Sequence, residues 1–228
     1  MKNKKSELQE QRSVILLSGG LDSAVTLYFA KKYGYDLTAL IFSYGQRHEK
    51  ETECAKKLAD MVGINKYLLE ITLPWSESAL INRSIEVPYG RDLEAKDIPL
   101  TYVPGRNIIF LSYAFSLAET IKAKRIFIGA HVEDYSGYPD CRPEFINSFE
   151  DACNKGISRN GIEISAPLLD KNKKDIITLG NELNVPFENT WSCYSGTDKP
   201  CMKCDSCRFR QQGFEALGLV DPLIRDSK

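Results

Sequence analysis

Four cysteines fall within fifteen positions, spaced Cys193-x7-Cys201-x2-Cys204-x2-Cys207. Two-residue gaps let neighbouring thiolates converge on one ion, and Gly196 and Pro200 suit the knuckle between the first two. Four sulfurs fit the closed tetrahedral shell of structural zinc, and an iron–sulfur cluster can use a similar spacing. The other three cysteines, Cys54, Cys141 and Cys153, are scattered, and an odd total of seven points away from a disulfide framework.

A second cluster lies near the other end: Leu17-Ser18-Gly19-Gly20-Leu21-Asp22-Ser23, directly after a short apolar run. Glycines let a backbone curl close to an anion. Successive N–H groups, the positive end of a following helix and the Ser18 and Ser23 hydroxyls then supply donors. No GK[ST] triplet follows, so the phosphate loop that grips nucleotide with lysine is excluded. A plain turn with Asp22 or Ser23 capping a helix uses the same residue types.

Four further stretches carry groups that could act on a polar anionic substrate. Ser43-Tyr44-Gly45-Gln46-Arg47-His48 follows a predicted strand, so Arg47 and His48 are expected to project into the crevice at its carboxyl end. Val103-Pro104-Gly105-Arg106-Asn107 opens a predicted helix, where the Arg106 fork could pair with a carboxylate or phosphate. The loop HVEDYSGYPDCR offers Asp134, Ser136, Tyr138, Asp140 and Arg142, a mixture suited to stacking on a flat heterocycle and accepting from its N–H groups. Lys173, flanked by Lys171 and Lys174, opens a later helix. A solvated basic face would look the same.

The elements that must position these groups alternate along the chain. Short apolar runs at 13–17, 37–42, 67–71, 125–130 and 162–165 are predicted strands. Segments of helical period at 22–33, 49–62, 107–121, 143–157 and 172–183 are predicted helices. That alternation predicts an open, doubly wound α/β fold with a mainly parallel sheet of about five strands. The interval 73–105 carries four prolines and reads as a lid or binding loop. The expected organisation is a polar tail over 1–12, a nucleotide-binding domain over 13–186 and a small cysteine-rich module over 187–228.

At 228 residues, with 43% hydrophobic and 27% charged residues, the composition is that of an ordinary globular protein. A net charge of −1 gives no general attraction to nucleic acid. No apolar run is long enough to cross a bilayer, and the first twelve residues lack the apolar centre of a signal peptide; a cytoplasmic protein without a membrane partner is expected.

SGGLDS resembles the pyrophosphate loop of the ATP pyrophosphatases. Taken with SYGQRH, VPGRN, SGYPDCR and the four cysteines, in this order from about Val14 to Arg210, the chain resembles the QueC family. The resemblance implies an adenine-nucleotide α-hydrolase-like fold that converts 7-carboxy-7-deazaguanine, ammonia and ATP into 7-cyano-7-deazaguanine, usually as a homodimer. It implies ATP contacts at Leu17, Ser18, Gly19, Gly20, Leu21, Asp22, Ser23, Ala24, Val25, Thr26 and Leu27, with Asp22 on Mg2+. It further implies catalytic Asp22, Arg47, Arg106 and Lys173, and substrate contacts at Tyr44, Arg106, Asn107, Asp134, Ser136, Tyr138, Asp140 and Arg142. Zn2+ is assigned to Cys193, Cys201, Cys204 and Cys207. The enzymatic rival is an ATP pyrophosphatase that thiolates tRNA, which would need a tRNA-binding appendage or a catalytic cysteine pair, or one that amidates another carboxylate; a non-catalytic nucleotide scaffold with a zinc module is the rival from another class.

Overall fold

The computed structural model describes residues 11–47, 49–95, 97–134, 137–159 and 161–225. Five strands, β1 (Arg12–Leu16), β2 (Asp36–Ser43), β3 (Asn65–Glu70), β4 (Arg125–Phe127) and β5 (Glu163–Ser165), form one sheet in the order β3-β2-β1-β4-β5. Every pairing is parallel. The intervening helices are α1 (Leu21–Lys32), α2 (Lys50–Met61), α3 (Arg106–Ile121), α4 (Pro143–Gly156) and α5 (Lys173–Glu182), followed by α6 (Asp205–Glu215) and the short α7 (Pro222–Arg225). This is the doubly wound α/β class expected from the alternation.

Strand period divides the core into two layers. Val14, Leu16, Leu40, Phe42 and Ile126 point to one face, where Leu111 and Phe115 of α3 and Ile146 of α4 cover them. Ile15, Leu17, Ile41 and Phe127 point to the other, against Val25 and Leu27 of α1, Leu58 of α2 and Ile177 of α5. β3 and β5 are the edge strands, and most residues of β3 are exposed.

β4 is shorter than the 125–130 expected, because residues 128–130 leave the ladder to line a cavity. The chain reverses its direction across the sheet between β3 and β4, which lies on the far side of β1, so the crevice outside the carboxyl ends of β1 and β4 is a topological switch point.

The cysteine-rich end is not a separate body. Phe187 and Phe214 belong to the same buried cluster as Ile15 and Val25. Arg210, buried on α6, makes a two-pronged pair with Asp221 (2.6 and 2.8 Å) and donates to Thr190 Oγ1 and the Phe187 carbonyl. The long loop joins the same assembly: Tyr89 bridges to Cys204, and the Ala79 N–H donates to the Leu100 carbonyl. No helix among the described residues is long and apolar enough to cross a membrane.

Candidate active site

The turn between β1 and α1 is closed by its own hydroxyls. The Ser23 hydroxyl donates to the Gly20 carbonyl (3.0 Å) and accepts from Ser18 Oγ (3.0 Å) and the Gly19 N–H (3.2 Å). Ser18 Oγ accepts from the Gly20 N–H (3.2 Å). Gly19 is required on two counts: its φ is +88°, and a Cβ there would lie 2.0 Å from the Glu51 carbonyl oxygen. Because hydroxyls already engage the Gly19 and Gly20 amides, the donors left for an anion belong to the first turn of α1, whose N-terminus carries no side-chain cap.

Above this turn lies a cavity of about 250 Å³. Leu17, Ser18, Gly20, Asp22 and Ser23 form its floor; Tyr44, Arg47, Glu51, Arg106, Asn107 and Phe110 form one wall; Asp134, Tyr138 and Cys141 form another. Ser192, Cys193, Tyr194 and Ser206 close it from the cysteine-rich end. A smaller adjoining cavity of about 90 Å³ holds Lys173, His131 and Glu133 and shares Asp22, Asp134 and Tyr138 with the first.

Asp22 stands where the two cavities meet. Its Oδ1 accepts from the Lys173 ammonium at 2.7 Å, and Oδ2 lies 3.6 Å from His131 Nε2. Burial pushes the carboxyl up, but the charge of Lys173 and its hydrogen bond to Oδ1 outweigh burial and hold Asp22 well below the usual carboxylate range. Arg106 donates from Nη1 to the Tyr44 hydroxyl at 3.2 Å. Burial works against its charge, yet the Tyr44, Tyr138 and Asp140 oxygens more than offset that, so the guanidinium stays cationic. Glu51 behaves in the opposite way: burial pushes its carboxyl up to about 7, although Arg106 pulls it down. Burial likewise raises the Cys141 thiol far above its ordinary range, so that thiol is no nucleophile at neutral pH.

Several expected site residues stand elsewhere. Ala24, Val25, Thr26 and Leu27 pack fully buried inside α1 rather than facing the cavity, because the helix turns them into the core. Arg47 lines the cavity but donates its guanidinium N–H groups to the carbonyls of Ala79 (2.5 Å), Asn82 (3.0 Å) and Ile85, which anchors the long loop. Asp140 is buried and accepts from the Asn107 N–H at 2.9 Å, capping α3 from another loop instead of lining the cavity. Arg142 is exposed at the start of α4. His48 and Ser136 lie outside the described residues.

Conversely, the cavities contain groups not singled out from the sequence: Glu51, Tyr194, His131 and Glu133. His131 carried a signal, since it is the first residue of the loop leaving the carboxyl end of the fourth predicted strand. Glu51 sits in the charged run Glu49-Lys50-Glu51, which reads as a solvated helix start.

The sulfurs of Cys193, Cys201, Cys204 and Cys207 all lie within 4.8 Å of one another. Cys193 Sγ accepts from the N–H groups of Gly196 (3.0 Å), Cys201 (3.1 Å) and Ser195 (3.4 Å). Hydrogen bonds from the Cys204 and Cys207 thiols, then these amides, push its thiol down. A Cβ on Gly196 would lie 2.1 Å from the Lys199 carbonyl oxygen, so the tight turn that aims these amides needs glycine. Converging sulfurs with amide donors behind them fit a tetrahedral metal ion. The cysteine cluster abuts the β1–α1 turn: the Trp191 backbone N–H donates to the Gly19 carbonyl at 2.9 Å.

A family model for the queuosine biosynthesis protein QueC matches residues 12–218, from the first strand through the cysteine cluster. The chain belongs to the QueC family. A relative from Trichodesmium erythraeum named 7-cyano-7-deazaguanine synthase is 50% identical, the match covering 93% of this chain and 100% of that one. One of the same name from Picrophilus torridus is 49% identical over 93% and 90% of the two chains. Among solved structures, a predicted subunit of tRNA methyltransferase from Methanocaldococcus jannaschii aligns with a TM-score of 0.51 at 15% identity, covering 92% and 90%; that likeness concerns the fold alone.

Proposed function

We propose that this QueC-family chain is a 7-cyano-7-deazaguanine synthase that turns 7-carboxy-7-deazaguanine, ammonia and ATP into the nitrile. A free carboxylate resists ammonia because it is anionic and would have to expel oxide. Transfer of AMP to its oxygen supplies a leaving group. The observation that carries this reading is the uncapped α1 N-terminus with Ser18, Asp22 and Ser23 on the floor of a cavity whose walls hold Arg106, tyrosines and carboxylates.

The diphosphate that departs during adenylation sits on the first turn of α1, with Lys173 as the nearby cation, while the Ser18 and Ser23 hydroxyls hold the shape of the turn. Mg2+ screens the polyphosphate, with Asp22 as its protein ligand, hard oxygen for a hard cation. The heterocycle lies among Tyr44, Phe110, Tyr138 and Tyr194, and Asp134 accepts from its N–H groups. Arg106 pairs with its carboxylate. Arg47 acts indirectly, by fixing the loop that walls the cavity. Ammonia attacks the acyl adenylate to give the amide, and a second activation at the amide oxygen allows its removal to leave C≡N. Each activation releases AMP and diphosphate.

The four cysteines hold one structural Zn2+, a closed site with no position for substrate. Free ammonia is the nitrogen source, the protein works in the cytoplasm, and it assembles as a homodimer. The test is the nucleotide product: AMP and diphosphate appearing with 7-carboxy-7-deazaguanine support the reading, and ADP with phosphate refutes it.

A further inference from the structure

His131 is 5% exposed and sits at the centre of a charge cluster built from three parts of the fold. Its Nε2 lies 3.0 Å from Lys173 Nζ of α5, 3.6 Å from Asp22 Oδ2 of α1 and 3.4 Å from Asp134 Oδ2 of its own loop. Behind it, Nδ1 faces Glu133 Oε2 at 3.8 Å, while Glu133 Oε1 accepts from the Lys173 backbone N–H at 3.1 Å. The ring and the turn that follows it thus hold Lys173 at both its main chain and its ammonium.

His131 Nε2 and Lys173 Nζ lie 3.0 Å apart, within hydrogen-bond reach, and a lysine ammonium can only donate, so the contact is a hydrogen bond in the tautomer that carries its ring proton on Nδ1, on the Glu133 side. An ammonium has three donors. Asp22 and His131 engage two, leaving one for a phosphate oxygen.

We propose that His131 is a positioning residue that holds the Lys173 ammonium at Asp22, aimed at the polyphosphate of ATP. The proposal rests on the reading that this chain binds ATP at the β1–α1 turn. His131 touches no substrate itself. It acts through Lys173, fixing the rotamer of a side chain that would otherwise sample many.

The experiment is a double-mutant cycle read as ATP affinity by titration calorimetry with Mg2+ present and the zinc-loaded protein throughout, so that inactive variants remain measurable. His131→Phe keeps the ring volume and removes the acceptor; it should weaken ATP binding on the order of tenfold. His131→Gln places a carbonyl oxygen where Nε2 was and should restore affinity to within about threefold of the original. In a Lys173→Met background, His131→Phe should change affinity no further. Equal weakening with and without Lys173, no weakening by the phenylalanine, or no recovery with glutamine would each overturn the proposal. If His131→Phe does not fold, His131→Asn, whose shorter amide stops short of Lys173, takes its place in the cycle. Failure of the unsubstituted protein to bind ATP at all would instead sink the functional reading on which this one rests.

Discussion

Two buried carboxyls of the candidate site are shifted in opposite directions, and each gives a direct test. Asp22 stays ionised through the Lys173 charge and hydrogen bond beside it, so it is ready for a cation at any physiological pH. Asp22→Ala should abolish product formation while the far-ultraviolet dichroism stays native, because the side chain lies at the rim of the cavities and not in the core. Loss of folding along with activity would show that the carboxylate is structural. Glu51 makes the opposite case. Its folded value near 7 lies above that of an unfolded glutamate, so the native state holds the extra proton and stability falls as pH rises from about 4.5 through 7. Glu51→Gln should therefore be more stable than the parent at pH 8, by at most about 3 kcal/mol before discounting for its partial exposure, and no more stable at pH 4. Melting curves at both values check the sign. Which residues were legible in sequence follows the same physics. Asp22 and Arg106 stood out because glycines and a helix start flanked them. Glu51 and His131 did not, since what makes them unusual is burial by distant segments. Asp140 misled in reverse: an acid in a polar loop reads as a ligand contact, and only the packing of that loop against α3 reveals a cap.

At the scale of elements, the cysteine knuckle and the β1–α1 turn form one construction. Trp191 donates to the Gly19 carbonyl, Lys50 of α2 sits 4.2 Å from the Trp191 ring centre, and its ammonium donates to the Thr197 and Asp198 carbonyls (3.1 and 2.7 Å). Cys193 and Tyr194 then wall the cavity. A metal site of this kind should matter beyond local stability. Cys204→Ala is expected to lose about one zinc per chain by elemental analysis and to lower the melting temperature markedly, since metal binding free energy is folding free energy. ATP affinity should fall with it. A colourless protein is expected; a brown protein containing stoichiometric iron would replace zinc with a cluster. Sequence spacing made the ligands legible but not their neighbour, because Gly19 and Trp191 are far apart along the chain and nothing local links them.

For the whole molecule, the strand and helix order was readable because the buried strands are short apolar runs separated by longer segments of helical length, although α1 is buried at consecutive positions rather than on one face. The ends moved by a residue or two, except at β4, where departure from the ladder builds the cavity. In the C-terminal module the change to cysteines and small residues masks Phe187 and Phe214, which pack it against the sheet. Folding distant parts of the chain together places an uncapped helix start, an arginine and an aromatic wall around one space of about 250 Å³. The central claim is that this space activates an acid with ATP and aminates it to a nitrile. The most direct measurement is mass spectrometry of the deazapurine after incubation of the purified protein with 7-carboxy-7-deazaguanine, Mg-ATP and 15N-labelled ammonium in the absence of glutamine. The account predicts 7-cyano-7-deazaguanine carrying one 15N in its nitrile, and that product lost in Asp22→Ala. Recovery of the unchanged acid while the same preparation remains folded and zinc-loaded would contradict it.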